Sequence, residues 1–193
     1  MKNALLVAII ALAFALPAYA DTAIYRIDSK AGTTAATYAV LTPQLELWAY
    51  AAQTKDADLE TGRLYQIPSP KKTLVLAGGY YAYWADGRKS FAEPYLVLGV
   101  TVGRVKLAAD GGSYLPLNGG PTVHYVNEAS AMAPLDRKVQ VGLAASLWYQ
   151  DGVTTTRIGL KASANLGGGV SLTTRYLVGT SGAPDTLIVM VSW

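Results

Sequence analysis

Cysteine is absent from this chain. There is therefore no disulfide framework, no thiolate zinc site and no cysteine nucleophile. The same absence excludes a lipidated N-terminus, which is built on a Cys just after a leader. Histidine is nearly absent too, with His124 alone. Metal binding would fall to carboxylates, and Asp56, Asp58 and Glu60 do lie together. They lack the glycine and the terminal glutamate of an EF-hand loop, so no metal ligand is assigned. No glycine-rich phosphate motif occurs; Asp110-Gly111-Gly112 and Asn118-Gly119-Gly120 read as turns. No basic block stands out, which leaves no case for nucleic acid. Long apolar runs are also missing. Beyond the first 20 residues, the longest stretch without a polar residue is 74–85. A membrane-spanning helix needs about 18 or more.

What is present begins with a leader. Met-Lys-Asn is followed by the apolar run 4–16 and by Pro17-Ala18-Tyr19-Ala20. A charged start, a short apolar core and an Ala-x-Ala site read as a secretory signal peptide cleaved after Ala20. Removing 20 of the 193 residues leaves 173, enough for a single domain over 21–193. The hydrophobic share falls from 51 % to about 47 %, which is ordinary for a globular chain.

From residue 138 onward the order of the apolar residues becomes informative. Val139, Val141, Leu143, Ala145, Leu147 and Tyr149 share one face. Thr156, Ile158, Leu160, Ala162, Ala164 and Leu166 do the same, as do Val170, Leu172, Thr174, Tyr176 and Val178. The opposite faces carry Lys138, Arg157, Lys161 and Arg175 among small residues. Period-two alternation is the mark of strands with one apolar and one polar face. The segments run to 9–13 residues and are separated by short turns at 151–152, 167–169 and 180–184. Soluble strands average about 5–6 residues, whereas a tilted strand crossing a bilayer needs about 9–11. The pattern predicts an antiparallel up-and-down barrel with its apolar face toward lipid, and Lys138, Arg157, Lys161 and Arg175 toward the lumen. A two-sheet sandwich is the alternative that alternation alone leaves open.

The chain ends at Trp193, preceded at alternate positions by Val191, Val189 and Leu187. In this it resembles bacterial outer-membrane β-barrel proteins, which end in an aromatic residue after alternating apolar ones. The resemblance implies an integral protein of a Gram-negative outer membrane. It also implies that Leu187, Val189, Val191 and Trp193 form the signal read by the barrel-assembly machinery. The commonest terminal residue in that family is Phe, so Trp is a variant.

With Trp193 on the periplasmic side, counting back yields eight strands from Gln44 to Trp193. Turns fall at 86–90 and 134–137, and long outside loops at 55–71 and 109–120. Residues 21–43 are an N-terminal extension or one more hairpin, which would make ten strands. Tyr149, Tyr176, Tyr80, Trp84 and Trp193 are expected in aromatic girdles.

Chemistry is sparse. On an unbroken strand His124 shares its face with Val126, Glu128 and Ser130. Glu128 would lie about 13 Å along that strand, out of reach for a local triad. No catalytic, cofactor-binding or metal residue is therefore assigned. The expected function is a non-enzymatic membrane scaffold or surface-interaction protein. A narrow channel or export component, and a lipid-modifying enzyme using His124, are the alternatives. The expected partners are outer-membrane lipid, the assembly machinery and an envelope or surface-polysaccharide partner.

Overall fold

The computed structural model describes residues 22–193, apart from 31–32, 43–44, 53–57, 85–87 and 181. The leader 1–20 and Asp56 lie outside the described residues. Twelve strands are described, and all pair antiparallel in one closed barrel. They are β1 (Thr22–Lys30), β2 (Thr33–Leu41), β3 (Glu46–Ala52), β4 (Asp58–Gln66), β5 (Thr73–Trp84) and β6 (Lys89–Val102). The ring continues through β7 (Val105–Pro116), β8 (Val123–Pro134), β9 (Val139–Gln150), β10 (Val153–Gly167), β11 (Val170–Gly179) and β12 (Thr186–Ser192). Each strand pairs with its neighbours in sequence. The ring closes where β1 pairs with β12, from Ile24 opposite Ser192 to Lys30 opposite Thr186. Closure leaves no strand edge unpaired, as lipid requires.

The all-β, up-and-down barrel expected from alternation is the fold observed. The count of eight is corrected to twelve. The hairpin 22–41 supplies β1 and β2, and two further strands hide where loops were expected. Within 55–71 lies β4. It carries charge on both faces, with Glu60 turned inward and Arg63 outward, so no apolar stripe marks it. Within 109–120 lies the second half of β7. Its Asp110-Gly111-Gly112 looks like a turn but pairs in mid-strand with β6 and β8. The real turn is 103–104. At Gly112 an added Cβ would run into the Pro94 carbonyl on β6 and fall 3.2 Å from the Tyr95 ring. This glycine lets the neighbouring backbone and an interior tyrosine approach rather than making a bend.

Two added strands reverse the direction of everything between them. The 67–72 connection therefore lies at the end that holds Thr22 and Trp193, not at the opposite one. The 85–88 connection lies opposite, where Asn118 donates to the Arg88 carbonyl (2.8 Å) and ties two connections together. The connections are short at both ends, the longest being 67–72, 117–122 and 180–185.

Leu143, Leu147, Ile158, Leu160, Tyr176, Val178 and Leu187 are all exposed on the outer wall. Large apolar side chains on an outward face of this extent suit a lipid environment. Tyr65, Tyr81, Tyr149, Tyr176 and Trp193 are exposed as well, near strand ends, as girdle residues would be. Tyr80 and Trp84 are not among them. Both face the interior, where Tyr80 stands opposite the buried Glu93 and Trp84 packs on Phe91.

Candidate functional site: the barrel interior

A carboxylate buried inside a barrel must find hydrogen-bond donors or a counter-charge. Here tyrosine meets that need, since its ring fills lumen volume while its hydroxyl donates. From β3 to β8 these two residue types recur at inward positions. Glu46 on β3 accepts from the Tyr80 hydroxyl on β5. Glu60 on β4 accepts from Tyr50 at 2.8 Å and from Tyr114 on β7 at 2.7 Å. Glu93 on β6 accepts from Tyr125 on β8. Asp110 on β7 accepts from Tyr95 and from the Asn127 amide at 2.8 Å. The Tyr114–Glu60 bond spans three strand spacings, so the side chains on this wall narrow the interior.

Toward the mouth formed by 117–122 and 151–152, the same wall becomes aromatic. Tyr114 stacks on Tyr125 with centroids 5.0 Å apart, and Tyr125 on Trp148 at 4.9 Å. Phe91 and Trp84 extend the cluster, 4.4 Å apart. Outside it, a depression of about 340 Å³ is lined by Val123, Trp148, Gln150, Asp151, Val153 and Thr155.

The facing wall is cationic. Arg157 and Lys161 on β10 and Arg175 on β11 point inward. Lys161 forms an ion pair with Glu128, whose second oxygen takes Arg175 at 2.8 Å. Arg157 donates to the Pro184 carbonyl at 2.9 Å, which draws the 180–185 connection over its mouth. Asp185 anchors that connection by accepting from the Gly179 amide (3.0 Å) and the Tyr176 hydroxyl (2.8 Å). These two bonds, the amide's first, hold its carboxyl below the usual carboxylate range. Lys138, expected to face the lumen, instead lies exposed in the 135–138 turn at the rim. Leu187, Val189, Val191 and Trp193 line the outer face of the last strand.

A β-bulge decides where Glu128 and His124 point. The β8 register shifts between Val126 and Ala129, and the β7 register between Asp110 and Gly111. The extra residue breaks the alternation that the sequence implied. Glu128 and Ser130 turn inward, whereas His124 and Val126 turn outward. His124 then meets a residue that its own strand could not supply. Its Nδ1 lies 2.8 Å from the Ser113 Oγ on β7, and its ring stacks on Tyr149 at 6.1 Å. Among the described residues no carboxylate bonds to this pair, so the third member of a triad is not in place.

The inward places of Glu60, Asp110 and Tyr114 are not legible in the sequence, because their segments lack an apolar stripe and look like loops. A weak period-two pattern over 58–66 and 105–116, with charges on either face, is the signal that marks them.

No protein-family model and no curated protein matches this chain. Solved structures do. The chain is similar to the KdgM porin, with a TM-score of 0.67 and 12 % identity, over 89 % of this chain and 98 % of that one. The KdgM porin in complex with disordered oligogalacturonate matches over the same shares, at TM-score 0.65 and 11 % identity. The NanC porin matches at TM-score 0.59 and 12 % identity, again over 89 % and 98 %. The fold is that of small bacterial outer-membrane porins. At these identities the likeness is one of architecture, and the interior just described belongs to this chain's own sequence.

Proposed function

We propose that this chain is an integral outer-membrane barrel acting as a narrow channel for small hydrophilic solutes. The observation that carries this reading is the interior itself. Carboxylates and tyrosines on β3–β8 face arginine and lysine on β10–β11, while the outer wall of the same strands is apolar. Eight strands enclose a space that side chains just fill, and diameter grows with strand number. Twelve strands leave more room than the interior of a filled scaffold needs. The bonds from Tyr114 to Glu60 and from Arg175 to Glu128 then narrow that room without abolishing its polarity. Charged side chains lining a pore are a standard source of ion selectivity. The architectural neighbours are named as porins, which supports a channel over the non-enzymatic scaffold.

The rest of the reading follows from this. The leader would be removed after Ala20, the barrel-assembly machinery would read Leu187, Val189, Val191 and Trp193, and the exposed wall would meet outer-membrane lipid. A surface polysaccharide would be met by the connections at the end opposite Trp193. The test is conductance in a planar bilayer, using mature protein whose folding is verified by its gel mobility. Small discrete current steps are expected. A folded barrel that adds nothing to the bare-bilayer current would overturn the channel and return the scaffold.

A further inference from the structure

The basic residues legible in the sequence suggest a path for anions. The interior points the other way. Resting on the channel reading above, we propose that the path is selective for cations, such as potassium and small alkylammonium ions, with Glu93 as a determining residue.

The sign follows from how the interior charges are paired. Lys161 and Arg175 both reach Glu128. The third cation of that wall, Arg157, binds a backbone carbonyl near one mouth. Lys89 and Lys106 stand at strand ends, exposed, where salt screens them. On the facing wall, Glu46, Glu93 and Asp110 accept hydrogen bonds only from neutral donors among the described residues: tyrosine hydroxyls, the Asn127 amide and the Leu64 N–H. These donors orient a carboxylate and bring no counter-charge to it. Among the described side chains, three carboxylates with neutral donors thus share the interior with one guanidinium, Arg157, that binds no carboxylate.

Glu93 adds an independent observation. It is 2 % exposed, and its Oε2 has no hydrogen-bond partner among the described residues. Glu60 stands close enough to interact with it electrostatically. A buried carboxylate oxygen without a donor is costly when charged, and a passing cation lowers that cost. The rings of Tyr95 and Tyr125 flank it, 6.2 Å apart, and offer π-faces that cations also favour. Walls of low dielectric carry the field of such a group along the path, so a passing ion need not touch it.

The experiment measures reversal potential for the mature barrel in a planar bilayer under asymmetric KCl. Potassium is expected to permeate severalfold better than chloride. Glu93→Gln should move the ratio toward unity, and Asp110→Asn is a second variant should the first fail to fold. Glu128→Gln, which strips the counter-charge from Lys161 and Arg175, should move it further, toward chloride. Wild-type anion selectivity, or a ratio unmoved by both Glu93→Gln and Asp110→Asn, would overturn the cation assignment and leave the channel standing. Absence of any current would overturn the channel, and the assignment with it.

Discussion

At the scale of single residues, Glu128 is the most consequential side chain in the interior. One carboxylate serves two cations from two strands, and it does so only because a bulge turns it inward. Breaking a buried charge pair by removing one partner costs about 3–5 kcal/mol, since a buried charge is left uncompensated. Glu128→Gln is therefore expected to destabilise the barrel by a few kcal/mol in urea unfolding from lipid vesicles. Loss of less than about 1 kcal/mol would show that Lys161 and Arg175 are satisfied without it. The basic partners were legible from alternation in β10 and β11. Which of the acids they share was not, because 127–128 interrupts the period and places Glu128 on the face opposite to His124. The pairing of His124 with Ser113 is hidden for a related reason. It is a contact between strands, and its partner strand looks like a loop in the sequence.

At the scale of elements, β10 shows how far alternation reaches. Leu160 stands at the centre of this strand, 67 % exposed on the outer wall, and Lys161 beside it turns inward to Glu128. An arginine on the lipid face near the midplane of a barrel costs about 2–4 kcal/mol. Leu160→Arg is expected to lose that much, whereas Lys161→Gln leaves the Arg175–Glu128 pair and loses clearly less. Unfolding of both variants in reconstituted lipid tests the facing directly, and equal losses would refute it. The strands from β8 to β12 were readable with boundaries close to those observed, because a mostly apolar stripe marks each of them. β4 and β7 were not. Thr61 and Arg63 interrupt the stripe of β4, and Gly111, Ser113 and Asp110 give β7 the look of a turn. In β4 and β7 the stripe is patchy, and pairing with strands on both sides replaces pattern as the organising force.

At the scale of the whole molecule, closure follows from the count. With twelve strands the first and last lie side by side, and every backbone edge is paired. Such a barrel resists detergent until heated, so the mature protein is expected to run at different positions on gels with and without boiling. It should also appear in the outer-membrane fraction; recovery in soluble form would contradict the lipid-facing wall. The sequence by itself determined the class of structure. Period-two order, long strands and the terminal Leu187–Trp193 pattern are local properties, and a pleated strand in lipid converts them directly into inside and outside. The tertiary structure alone decided the number of strands, the end at which each turn lies and the company of each interior charge. Those depend on which strands become neighbours and on one inserted residue in β8. Contacts across a lumen join residues dozens of positions apart, and no local period encodes them.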